Sequence, residues 1–382
     1  MVYLDYNSTT PIDERVLDEM IKVYRNVIGN PDSRTHLFGD EARQVVEQSR
    51  SKIAALLNIN KDEVFFTSGA TESNNIAIQG LKEYAHKTGK KHIVTTNIEH
   101  KAILETCKAM AKNGFEVSYV NPRIDGRILF DEVKNLVRDD TLLVTVMHVN
   151  NETGIIQPVK EIGDYLADKE VYFHIDATQS FGKLVDELKE IKFDILSVSA
   201  HKIGGPQGIG ALILKKKHYR LPPVKGIMYG GQQEHGIRPG TIPVALVAGF
   251  GAACSFAFSE YKSNMERCKV IKEALLEELE IRNISYKING NSKYCMPNIL
   301  NIYFEGVSSE ALMLSTKHYC GVSNGSACNS NSYKPSYVLL AMGLPVERIE
   351  NSIRISWGAK SDIKDIIESF AKLLTVVKNL KL

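Results

Sequence analysis

Along the first two-thirds of the chain, short β-branched and aromatic runs alternate with stretches whose apolar residues recur every three or four positions. The runs at 63–67, 92–96, 116–121, 142–149, 171–176, 194–200 and 210–215 read as strands, and the segments at 40–57 and 71–87 as amphipathic helices. This rhythm predicts an α/β domain with a mainly parallel, seven-stranded sheet and helices over both faces. The apolar run at 244–258 reads as a buried helix. It falls short of the roughly 20 residues a membrane-spanning helix needs, and Ser255 and two glycines interrupt it. Beyond it the pattern becomes helix, strand, helix, strand, helix, with the clearer strands at 298–304 and 352–357. The expectation is a large domain over 15–260 and a smaller α+β domain built from 1–14 and 261–382. No linker-like tract separates them, so they should pack tightly.

Composition narrows the class. A chain of 382 residues exceeds the roughly 250–300 at which single cores stop growing, so two domains are expected. With 43% hydrophobic and 24% charged residues it matches an ordinary globular protein. Lys and Arg number 47 against 45 Asp and Glu, too even a balance to mark a nucleic-acid binder, so no direct nucleic-acid binding is expected. The opening Met1-Val2-Tyr3-Leu4-Asp5 lacks the basic and apolar regions of a secretory signal, which makes a cytoplasmic location without membrane attachment the default. Cysteines at 107, 254, 268, 295, 320 and 328 form no C-x-x-C pair and no tight cluster with histidine. Neither a metal site nor a disulfide framework is expected.

In open α/β sheets ligands bind beyond the carboxyl ends of the strands, and four such junctions are chemically rich. Ser68-Gly69-Ala70-Thr71-Glu72 follows a strand and opens a helix, which suits a phosphate held by backbone N–H groups and equally suits a plain helix cap. Asp176, with Gln179 close behind, ends another strand. Its carboxylate could keep a pyridinium nitrogen protonated, or cap a helix. Ser199-Ala200-His201-Lys202 runs into a Gly204-Gly205-Pro206 turn, which places Lys202 in a cleft. Burial disfavours an ammonium and prepares the amine for imine formation. His100, before a helix starting at Lys101, could stack on a ring, move a proton, or simply be a satisfied polar residue.

Five stretches in order, Leu4 to Pro11, Thr67 to Ser73, His148 to Glu152, His174 to Gln179 and Ser199 to Pro206, resemble the cysteine desulfurases of the NifS/IscS type. These are pyridoxal-phosphate enzymes of the class V aminotransferase group, with the aminotransferase-like architecture called fold type I. The likeness covers nearly the whole chain. It implies pyridoxal 5′-phosphate as a Schiff base on Lys202, Asp176 paired with the ring nitrogen, Gln179 at the ring hydroxyl and His100 over the ring. Ala70, Thr71, Ser199 and His201 would hold the phosphate, Asn151 would lie beside the substrate, and Arg354 would bind its carboxylate. The segment from Gly230 to Thr241 resembles the family's glycine-rich crossing to a partner subunit, which implies a homodimer in which Thr241 reaches the neighbouring phosphate. The family has more glycine where Gln232 and Gln233 stand, and serine in place of Pro239.

Cys328, in Ser323-Asn324-Gly325-Ser326-Ala327-Cys328, matches the family's catalytic cysteine, and its small neighbours read as an exposed loop. The other five cysteines read as inert core residues. The resemblance implies that L-cysteine yields L-alanine and a persulfide on Cys328. The persulfide then passes to an acceptor protein, a scaffold or sulfur carrier, serving iron–sulfur cluster assembly, tRNA thiolation or DNA phosphorothioation. Asn329 to Lys334 depart from the usual pattern, so the acceptor surface should differ. Alternatives are a selenocysteine lyase, another class V transaminase or lyase, or a cofactor-loaded docking platform with little catalysis.

Overall fold

The computed structural model describes residues 1–325 and 335–381. Its central sheet has seven strands in the order Val64–Thr67, Gly210–Leu214, Ile195–Ser199, Tyr172–Asp176, Thr141–Met147, His92–Thr96 and Glu116–Val120. Six run in one direction, and Gly210–Leu214 is antiparallel to both neighbours. The α/β fold expected from the strand rhythm is the fold observed.

Successive side chains of a strand point to opposite faces. Phe65, Ile93, Leu143, Ile195 and Leu212 enter one apolar cluster, and Phe66, Val94, Val144, Leu196 and Ile213 another. Ile76, Ile103 and Met110 come from helices on the first face; Ile53, Ile162, Leu188 and Phe250 cover the second. Burial on both faces is why the strands read as apolar runs without polar alternation. Each such side chain fully removed from water contributes roughly 1.5–3 kcal/mol. The parallel strands deliver Thr67, Thr96, Met147, Asp176 and Ser199 to one edge of the sheet.

A further cluster surrounds an antiparallel sheet of Tyr286–Ile288, Ile299–Phe304 and Ser352–Ser356, packed by the helices Ser309–Thr316 and Ile363–Leu380. The start of the chain joins it: Val2–Tyr3 pairs in parallel with Cys320–Gly321, and Leu4 is buried there.

The helix expected at the 244–258 run extends much further, over Val244–Ile281. Val247, Phe250 and Cys254 enter the cluster on the large sheet; Cys268, Ile271, Leu275 and Leu279 enter that of the small sheet. Beyond residue 258 one face turns charged while the other stays buried, so only the part enclosed on all sides stands out as an apolar run. The single helix expected at 71–87 is two, Ala70–Gln79 and Lys82–Thr88. The break comes at Gly80, whose carbonyl accepts from Lys225 N at 2.9 Å and where a Cβ would lie 2.5 Å from Lys225 O.

Candidate active site

A cavity of about 840 Å³ opens at the carboxyl edge of the large sheet. Strand ends form its floor, and residues 5–9, 322–325 and Arg354 close it from the side of the small sheet. Of the residues singled out in the sequence, Ala70, Thr71, His100, Asn151 and Asp176 line it, together with Gln179, Ser199, His201, Lys202 and Arg354.

Lys202 ends a single 3₁₀ turn that follows Ile195–Ser199 directly. It is 9% exposed, and its Nζ donates to Asn7 O at 2.6 Å and Ser8 O at 2.5 Å. Burial, reinforced by the positive charges of Lys183 and Arg354, brings its pKa down to about 7. A substantial fraction of the amine is therefore unprotonated at neutral pH.

Asp176 is buried. Its Oδ1 accepts from Thr178 N at 3.0 Å and from Thr178 Oγ1 at 2.5 Å, and its Oδ2 accepts from Asn74 Nδ2 at 2.8 Å. These bonds tie a turn and hold the carboxylate; they do not cap a helix. All its hydrogen-bond donors are neutral, so no ion pair compensates its charge among the described residues. Beside it, Gln179 donates from Nε2 to Asn7 O at 2.9 Å, while Gln179 Oε1 is buried with no partner among the described residues.

His100 caps the helix Lys101–Lys112, its Nδ1 accepting from Ala102 N at 3.1 Å. That bond assigns the remaining ring proton to Nε2. Burial lowers the His100 pKa, and it brings that of His201 down to about 4, so both rings are neutral at pH 7. His201 Nδ1 lies 3.0 Å from Thr9 Oγ1.

The turn before the helix Ala70–Gln79 needs glycine twice. Gly69 has φ +152°, and a Cβ on Gly210 would lie 2.7 Å from Gly69 Cα and 2.5 Å from Val198 O. The close approach of the two glycines sets the first N–H groups of the helix at the cavity floor, next to Ser199. Glu72 braces the turn by accepting from Ser68 N at 2.5 Å while paired with Arg238 at 3.1 Å.

Asn150 builds the turn that presents Asn151: its Oδ1 accepts from the N–H groups of Glu152 and Thr153, each at 2.9 Å. Asn151 O accepts from Arg354 Nη1 at 3.0 Å and from Asn7 Nδ2 at 3.2 Å. Arg354 comes from Ser352–Ser356 and donates through Nη2 to Asp5 Oδ1 at 2.6 Å. Two buried atoms, Asn151 Oδ1 and Arg354 Nε, have no partner among the described residues.

Thr241 is exposed and does not line the cavity of its own chain. Cys328 lies outside the described residues. Gly325 and Ser336, described positions on either side of it, meet one carboxyl group. Ser336 Oγ donates to Glu152 Oε2 at 2.5 Å, and a Cβ on Gly325 would lie 2.8 Å from that same oxygen. Burial raises the Glu152 pKa to about 7. Cys107, Cys254, Cys268 and Cys320 are buried and Cys295 is half-buried, and burial pushes the thiol of Cys107 up to about 12 and that of Cys268 to about 11. No cluster among the described residues has the makings of a metal site.

Sequence reasoning gave no role to Asp5, Asn7, Asn74 or Glu152. Asn7 reaches Lys202 and Gln179 through its carbonyl oxygen, which no side-chain pattern reveals. Asn74 carried one signal: an amide on the inward side of a helix that opens at the phosphate-type turn.

The class-V aminotransferase family model matches residues 2–368. The chain belongs to the class-V aminotransferase family. Among its curated relatives is the cysteine desulfurase IscS of Pasteurella multocida, 44% identical over 369 residues that span 96% of this chain and 90% of that protein. A solved NifS-like protein superposes with a TM-score of 0.91 at 34% identity, covering 99% of each chain. Another solved structure, SspA in complex with cysteine, gives a TM-score of 0.82 at 34% identity over 95% of this chain and all of that one.

Proposed function

We propose that this chain is a cysteine desulfurase that holds pyridoxal 5′-phosphate on Lys202. The observation that carries the cofactor reading is the buried Asp176 carboxylate, without a paired cation among the described residues, in the same cavity as a lysine whose pKa is brought down to about 7. The residues fit the group. Asp176 would meet the ring N–H, Gln179 Oε1, which has no partner among the described residues, would accept from the ring hydroxyl, and the Gly69–Thr71 turn, Ser199 and His201 would hold the phosphate. When bound, the cofactor supplies an electron sink for charge developed at the substrate Cα.

The chain's own groups do the rest. The Arg354 fork binds the substrate carboxylate with Asn151 beside it, which orients L-cysteine. The Lys202 amine takes the Cα proton and returns one to Cα after the sulfur has left, a task suited to a pKa near neutrality. His100 holds its Nε2 proton in the same cavity and is placed for proton transfer. The Cys328 thiolate attacks the substrate sulfur: an S–S bond forms, the Cβ–S bond breaks, and its electron pair remains on Cβ, which is protonated to the methyl group of L-alanine. The enzyme thiol and L-cysteine thus become an enzyme persulfide and L-alanine, with no other oxidant or reductant. The persulfide passes to an acceptor protein, and two copies of the chain form a dimer in which Thr241 serves the partner's site.

A Cys328→Ala variant tests the persulfide step. It should bind the cofactor and show its visible absorbance while releasing no sulfide above background. Sulfide release at the rate of the unaltered protein would remove Cys328 from the reaction.

A further inference from the structure

The side-on fork of an arginine, the edge a carboxylate meets with two parallel bonds, consists of Nε and Nη2. In Arg354 this edge is half taken. Nη2 donates to Asp5 Oδ1 at 2.6 Å, whereas Nε is buried with no partner among the described residues. Nη1 is used elsewhere, by Asn151 O. The Asp5 side chain retains 19% exposure against 6% for Arg354, and both face the main cavity. Backbone pairing beside Ser356 anchors Asp5, and the ion pair is its carboxylate's single hydrogen bond among the described residues.

We propose that Asp5 is a resident carboxylate that occupies half of the substrate's seat on Arg354 and must yield Nη2 when the substrate carboxylate takes Nε and Nη2 together. Asp5 is a positioning residue acting through Arg354. It keeps a buried guanidinium compensated while the site is free, since an unpaired buried charge is costly. In doing so it weakens carboxylate binding, because apparent affinity falls by the fraction of molecules whose fork is available. The weakening applies equally to every ligand carrying the α-carboxylate, substrate and product alike, so Asp5 keeps L-alanine from lingering. The inference rests on the reading of Arg354 as the carboxylate-binding residue.

The test measures equilibrium binding of L-alanine and of ethylamine, which lacks the carboxylate, to the cofactor-loaded protein and to Asp5→Asn and Arg354→Ala variants. Asp5→Ser, which also removes the charge, is a second variant should Asp5→Asn fold poorly. Removal of the Asp5 charge should tighten L-alanine binding roughly tenfold and leave ethylamine unchanged. In turnover, KM for L-cysteine should fall by a similar factor, with kcat unchanged or lower as product leaves more slowly. If Arg354→Ala loses L-alanine binding while both Asp5 variants bind it no more tightly, Asp5 is merely a brace and the proposal fails while the reading of Arg354 stands. If Arg354→Ala binds L-alanine as before, the reading of Arg354 itself fails, and the proposal with it.

Discussion

The Lys202 ammonium donates to the carbonyl of Asn7, 195 residues away in sequence, at 2.6 Å. The same carbonyl accepts from Gln179 Nε2 at 2.9 Å, so one backbone oxygen from the start of the chain ties two cavity residues of the large sheet together. Burial outweighs these bonds and leaves the lysine with a pKa of about 7, against an ordinary value of 10.5.

That shift makes stability depend on pH in the cofactor-free protein. The unfolded state holds the Lys202 proton up to about pH 10.5, the folded state only up to about 7, so stability rises with pH across this window. Below pH 7 both states are protonated and the penalty is complete. Urea unfolding of the unaltered protein and of Lys202→Met at pH 6 to 10 checks this. The advantage of Lys202→Met should be largest at pH 6 and shrink steadily as the pH rises above 7.

Asn74 is the donor that shares Asp176 with Thr178. Asn74→Ala leaves the buried Asp176 Oδ2 without its bond and should cost about 1–3 kcal/mol by denaturant titration. Asn74→Asp places a second carboxylate against the first and should weaken cofactor binding more than the alanine variant does, measured by equilibrium dialysis of pyridoxal phosphate.

Gly210→Ala tests the phosphate turn. Its Cβ would lie 2.5 Å from Val198 O and 2.7 Å from Gly69 Cα, both backbone atoms that cannot swing aside. The substitution should cost roughly 1–3 kcal/mol of stability and also raise the cofactor Kd, because Gly69 must move. A variant that loses stability with an unchanged Kd would separate this glycine from the cofactor site.

Glu152 works in the opposite direction from Lys202. Its pKa rises from 4.5 to about 7, so the folded state keeps a proton that the unfolded state has already lost, and stability falls as pH rises from about 4.5 to 7. Glu152→Gln removes that titration. Its stability relative to the unaltered protein should climb over this window and stay level above pH 7, as thermal unfolding in buffers from pH 4.5 to 8 would read.

Strand ends were the most legible part of the site. The runs that end at Thr67, Asp176 and Ser199 are apolar because both faces are buried, and the first polar residue after each has to sit at the carboxyl edge. Lys202, Asp176 and His100 could be placed there on that basis, whereas Arg354 and Asn151 drew their roles from the family resemblance. Asn7 was not legible, because its bonds to Lys202 and Gln179 are made by a carbonyl brought in by the pairing of Val2–Tyr3 with Cys320–Gly321, a two-residue parallel contact with no periodicity to reveal it. The break at Gly80 was hidden for a similar reason: the segment that presses on it lies some 145 residues further along the chain. Asp5 was visible as part of a motif but not as a partner, since the ion pair with Arg354 joins opposite ends of the sequence.

The most direct test of the central claim is an absorbance spectrum of the purified protein before and after addition of L-cysteine, with alanine and sulfide assayed in the same tube in the presence of a thiol reductant. The expected result is a visible band that shifts on addition of cysteine, with alanine and sulfide formed in equal amounts. A protein that stays colourless and inert when supplied with pyridoxal phosphate, or one that forms pyruvate in place of alanine, would contradict it.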